Sequence, residues 1–126
     1  MSTSAAVVAC VLLAALAVFQ AALALGAPWG RFAWGGRHDG ALPTGLRVGS
    51  LVSIALYGLF ATLLLDRADL IVVLPDGVSR VGTWVLLGYL VLGVVMNGVS
   101  RSRAERLTMT PVTLVLAVCT LVVALC

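Results

Sequence analysis

With 126 residues, 62% of them hydrophobic and only 10% charged, the chain lies far from the ~25% charged residues of an ordinary water-soluble domain and leaves no room for a second one. Its net charge of +3, carried by arginines without a single lysine, is too small and too dispersed for a nucleic-acid partner and matches ordinary membrane topology signals. Arginine in place of lysine throughout also fits a GC-rich coding bias.

Residues 5–26 carry no charge, and Gln20 is their only strongly polar side chain. At ~1.5 Å per residue such a helix reaches roughly 33 Å, enough for a hydrocarbon core. Residues 7–10 superficially resemble a lipoprotein cleavage site, but too few residues precede them for an export region. Ala22-Leu23-Ala24 similarly resembles a signal-peptidase site, yet the segment lacks a basic start and three more spans follow. A retained first helix is expected. Three further apolar runs, at about 48–65, 81–99 and 107–126, complete the set. Their unbroken apolarity excludes the alternating pattern of a barrel strand. The predicted fold is all-α, a single polytopic transmembrane domain arranged as a four-helix up-and-down bundle.

The connections carry the polar chemistry. Loop one, 27–47, holds Pro28, Pro43 and several glycines. Loop two carries Asp66, Arg67 and Asp69, then an apolar stretch at 70–74 too short to cross a membrane, expected at the interface or as an oblique extension of the second helix. Leu-Pro-Asp-Gly at 74–77 reads as a turn. Two start signals compete for the fourth helix: a capping box from Ser102 to Glu105 and Thr110 before Pro111. The preferred reading is an interfacial turn over 102–109 that bends into the membrane at Pro111.

Arginines set the expected orientation. Arg31, Arg37 and Arg47 in loop one join Arg101, Arg103 and Arg106 in loop three, against Arg67 and Arg80 in loop two. The positive-inside rule therefore places loops one and three in the cytoplasm and both termini outside. Helix packing is expected through small residues such as Ala17 and Ala21, and through Gly88, Gly93 and Gly98, whose five-residue spacing spirals around the helix.

Loop one supplies the most unusual constellation. Trp29 and Trp34 serve either as interfacial anchors or as the walls of an amphiphile pocket, with Arg37 or His38 meeting a polar head group. His38 beside Asp39 invites an acid–base reading, although adjacent side chains seldom point the same way and a loop histidine is ordinarily solvated. Asn97 is suited to capping, to interhelical bonding or to a ligand. Arg101, Arg103 and Arg106 are suited to phosphate or anionic lipid, and Glu105 is the one carboxylate among them. Asp66 is expected to face water or Arg67, and interhelical hydrogen bonds account for Gln20, Ser53 and Tyr57. Cys10, Cys119 and Cys126 show no metal or redox spacing, so buried free thiols are expected and no metal site is predicted. No nucleophile elbow, paired carboxylates or phosphate loop is present.

The segments GAPWGRFAWGGRHDGALPTGLRVGS and MNGVSRSRAERLTMTPVTLVLAV resemble those of a group of small, uncharacterised four-helix integral membrane proteins of actinobacteria. The resemblance implies a bacterial plasma-membrane protein in which Gly-Ala-Pro-Trp-Gly is paired with the asparagine and Ser-Arg-Ser-x-x-Glu-Arg. It implies no activity, cofactor or catalytic residue. The sequence thus predicts a membrane binding or accessory protein whose rim, loops 27–47 and 100–110, receives a lipid-like ligand or a membrane protein partner. A small enzyme acting on a lipid or isoprenoid head group is the alternative, with a homo-oligomeric transporter third.

Overall fold

A computed structural model covers residues 1–126 and is all-helical. Four long helices, α1 (Ser2–Ala24), α2 (Thr44–Arg67), α3 (Asp76–Gly98) and α4 (Arg103–Leu125), are each long and apolar enough to cross a membrane. The chain is a multi-pass membrane protein. Consecutive helices pack side by side, and α1 against α4 closes the ring, as short connections between antiparallel neighbours require.

The interior is narrow because the helices bury small residues. In α1 the buried positions Ala6, Ala9, Leu13, Gln20 and Leu23 recur at three-, four- and seven-residue intervals, marking one face of the helix. Leu13, Leu64, Leu86, Leu90 and Leu116 join Ala6 and Ala9 in the main core. Large aliphatic residues such as Val11, Val18, Leu51 and Leu92 point outward, the expected inversion where the solvent is hydrocarbon. Thr83 and Thr120 are fully buried, and each returns its hydroxyl to the carbonyl one turn back, at 2.6 and 2.8 Å. That internal bond lets a polar side chain sit between membrane helices without a partner across the gap. Of the small-residue contacts expected from the sequence, Gly93 lies against Thr113 and Gly98 faces Thr110, while Gly88 meets nothing.

All four helices extend beyond the apolar runs at their starts, because hydrogen-bonded turns continue into the polar flanks. This overturns the turn expected at 74–77. Pro75 is the N-cap of α3, and Asp76 and Gly77 lie in its first turn, where a carboxylate faces the positive end of the helix dipole. Residues 70–74 neither extend α2 nor form a helix of their own. They are held by Asp66, whose Oδ2 accepts the N–H groups of both Val73 and Leu74 at 2.8 Å. Asp66 is therefore buried and faces backbone donors, not water or Arg67. Arg67 instead donates to the carbonyls of Cys126 and Ala124 at 2.9 and 3.5 Å, a cation at the negative end of α4.

At the opposite end of the bundle, α4 starts at the first of its two signals. Ser102 is the N-cap, and its Oγ accepts the Glu105 N–H at 3.2 Å. Pro111 lies inside a continuous helix, so the separate interfacial turn expected over 102–109 is absent. Lacking an N–H, Pro111 cannot bond the carbonyl of Leu107, and the neighbouring Thr110 hydroxyl is buried without a partner.

Candidate functional site

Loop one is built as a wedge. Gly26 leaves α1 at φ 99°, and Arg47 Nε donates to the Ala24 carbonyl at 2.8 Å, tying the start of α2 to the end of α1. The Gly30 N–H donates to the Gly40 carbonyl at 3.0 Å. A Cβ at Gly30 would collide with the carbonyls of His38 and Gly40, so only glycine lets the loop fold back on itself. Two 3-10 turns, Gly30–Phe32 and Trp34–Gly36, follow.

Trp34 holds the left-handed conformation at φ 54°, an unfavourable one for a bulky residue that surrounding contacts must impose. Two contacts do so. Its indole lies on Gly49 of α2, where an added Cβ would come within 2.9 Å of the ring. The next amide, Gly35 N–H, donates to Glu105 Oε2 at 3.2 Å. Only half of the expected capping box therefore forms: Ser102 caps Glu105, but the carboxylate reaches across to loop one, and the Ser102 N–H takes Ser100 Oγ at 3.2 Å instead. The Ser102 hydroxyl also donates to the Arg31 carbonyl. Glu105, although ionisable, is only 5% exposed.

We expect Glu105→Ala to destabilise the fold by about 1 kcal/mol, since it removes the hydrogen bond that ties the Gly35 amide of loop one to α4. Glu105→Gln, which keeps a carbonyl oxygen at that position, is expected to lose less. Thermal denaturation monitored by tryptophan fluorescence separates the two.

The wedge opens a cleft. Three adjoining cavities of about 230, 430 and 140 Å³ all share Tyr89 and Asn97. Of the neighbouring helix pairs, α2 and α3 touch least. They meet where Phe60 and Tyr89 lie 5.5 Å apart and where Leu63 covers Gly82. Towards loop one, Trp34 reaches Gly49 of α2 and shares a cavity wall with Met96 and Asn97 of α3. Apolar walls come from Leu16, Phe19, Phe32 and Met109. Polar groups lie among them: Gln20 Nε2 donates to the Tyr57 hydroxyl at 3.3 Å, and Asn97 Nδ2 to Thr113 Oγ1 at 2.9 Å.

Of the residues singled out by sequence, the structure brings Trp34, Asn97 and Glu105 together on the cavity walls. Trp29 does not join them. Its ring stacks on Phe19, with centroids 6.4 Å apart and planes 5° from parallel, so it backs a cavity wall instead of forming one. Arg37, Arg101 and Arg103 are exposed, and neither they nor the half-buried His38 line any of these cavities. Arg106 donates to the Ser100 carbonyl at 2.8 Å, while Glu105 takes the Gly35 amide, so the two do not pair.

Sequence reasoning left out Tyr89 and Thr113, and assigned Gln20, Ser53 and Tyr57 to helix packing alone. A usable signal was present in Gln20, the one strongly polar residue of the first span. The three thiols are free, and no three His, Cys, Asp or Glu side chains are grouped to hold a metal ion. No family model matches the chain, and no curated protein or solved structure matches it.

Proposed function

We propose that the protein is an integral membrane binding protein that takes an amphiphile from the bilayer into the cleft between α2 and α3, with the head group towards loops one and three. One observation carries this reading: an apolar-walled cleft among membrane-spanning helices holds hydrogen-bonding groups, those of Gln20, Tyr57 and Asn97, below its rim. Ligand sites characteristically combine apolar walls with a few placed polar groups. Polar side chains at membrane depth are otherwise unfavourable and tend to mark function. The enzyme reading draws no comparable support, because His38 and Asp39 lie outside the cleft and Glu105 Oε2 is occupied by the Gly35 amide.

Mass spectrometry of the protein released in mild detergent tests the proposal. A stoichiometric amphiphile, lost when detergent exchange is harsh, is the expected result. Protein free of bound amphiphile even when taken up directly into lipid nanodiscs would reject it.

The same reading places the protein in a bacterial plasma membrane, as the resemblance to the actinobacterial group implies, with the arginine-rich rim in the cytoplasm and both termini outside. Exposed Arg31, Arg37, Arg101 and Arg103 remain available to anionic head groups there. After replacement of Cys10, Cys119 and Cys126, Ser2→Cys is expected to react with an impermeant thiol reagent in whole cells, and Arg37→Cys only after permeabilisation. The opposite pattern would invert the orientation.

A further inference from the structure

Resting on the amphiphile-binding reading, we infer that the cleft selects its ligand by chain length, taking the end of one hydrocarbon chain of about ten carbons and stopping it inside the bundle. The lining runs from polar to apolar in an order that the helices share. Where the cleft opens towards loop one it includes Gln20, Ser53 and Asn97. Seven residues along the same helices, away from the loop, come Leu13, Phe60 and Leu90, and Leu116 of α4 completes an apolar layer around the inner cavity. That layer is a floor. Leu13, Leu90 and Leu116 are buried members of the main core, and Phe60 packs against it. One turn farther on, Ala9, Leu64 and Leu86 are buried in the same core. Sideways, Phe60 and Tyr89 close the space between α2 and α3 at this level, their ring centroids 5.5 Å apart.

Depth and width together define the chain. Seven residues of helix span ~10 Å. An extended chain gains about 1.2 Å per bond, as the three backbone bonds of a residue do over ~3.5 Å, and so covers that depth in about nine bonds. One leaflet's hydrocarbon is ~15 Å deep, half of a ~30 Å core, so a chain that crosses its own leaflet overruns the floor. The inner cavity is about 140 Å³. That is close to the ~150 Å³ apolar cavity that holds one benzene, room for about six carbons of one chain and for no second chain beside it. A shorter chain leaves part of this space empty and forfeits its contacts. A longer one has to fold back or displace packed leucines.

The test uses saturated 1-monoacylglycerols with chains from six to eighteen carbons, offered in equal amounts to delipidated protein and read by native mass spectrometry, and then lysophosphatidylcholines with the same chains. Wild type is expected to retain chains of about ten carbons roughly threefold or more over chains four carbons shorter or longer. The optimum is expected to be the same in both series, because the floor meets only hydrocarbon. Leu116→Ala deepens the cavity and is expected to move the optimum up by about two carbons, whereas Leu116→Phe raises the floor and is expected to move it down by about one. Leu90→Val repeats the enlargement in milder form should Leu116→Ala not fold. Packing damage alone lowers retention at every length without moving the maximum, so opposite shifts are specific to a floor. Wild-type retention that is flat, or that climbs steadily to the longest chain, overturns the inference. So does an optimum that differs between the two head groups or stays in place in the folded variants. Each of these leaves the amphiphile-binding reading standing. Retention of no probe from either series overturns that reading as well.

Discussion

Gly36→Val is expected to cost about 2–4 kcal/mol. Gly36 sits at φ 72°, and a Cβ built there falls on the side chain of Ser102. Forcing an L-residue into the left-handed region costs about 1–2 kcal/mol, and overfilling a packed contact typically adds about 1–3 kcal/mol. Gly35 supplies the control, because it shares the backbone conformation at φ 73° but has open space beside it. Gly35→Val is therefore expected to show the conformational part alone, and the difference between the variants isolates the contact with Ser102 at the start of α4. Thermal melting in detergent reads the stability. Limited trypsinolysis at Arg31 and Arg37 reads whether loop one has lifted, and cleavage as slow as in wild type would show that Gly36 is not what seats it.

The contrast between Gly35 and Gly36 also shows what the sequence could and could not disclose. Apolar run length is a local property, so the four spans and their up-and-down order were legible directly. Their ends were not, since hydrogen-bonded turns continue past the last lipid-facing residue, and Leu-Pro-Asp-Gly became the start of α3 once Pro75 served as N-cap. The competition at α4 turned on a partner distant in sequence: Glu105 holds Gly35, seventy residues away. Trp34, Asn97 and Glu105 could be placed on one side of the membrane from topology, but their convergence on a shared cavity depended on the left-handed turn at Trp34 and its seat on Gly49. Gln20 was visible as an oddity. Its unpaired Oε1 was not, because pairing is decided by the direction in which Tyr57 approaches. The arginines were informative for charge balance and uninformative about reach. Half-buried Arg47 and Arg67 end on carbonyls at helix C-termini, and exposed Arg106 on that of Ser100, so bonds to the protein's own backbone occupy side chains that composition alone assigns to charge balance or lipid.

Two variants are expected to divide the cleft from the arginine rim. Ser53 lines the cleft from α2, and its hydroxyl merely returns to the Gly49 carbonyl at 3.0 Å, a bond the helix does not need. Ser53→Phe places a ring in the cavity while leaving the helical backbone bonds in place. Excluding ~60 Å² of apolar ligand contact at ~25 cal/mol per Å² corresponds to about 1.5 kcal/mol, so amphiphile retention is expected to fall about tenfold or more. The triple variant Arg101→Gln, Arg103→Gln, Arg106→Gln is expected to do the reverse. It weakens enrichment of phosphatidylglycerol around the protein, by up to about 1 kcal/mol for each arginine lost at low salt, with the difference shrinking as ionic strength rises and screening sets in. Cleft occupancy is expected to stay within about twofold of wild type, because none of the three lines the cavity. Arg106 alone has an internal partner in the Ser100 carbonyl, so an Arg101→Gln, Arg103→Gln double variant keeps the comparison free of any change at the start of α4. Loss of the bound amphiphile in that double variant, with Ser53→Phe retaining it, would move the binding site from the cleft to the rim.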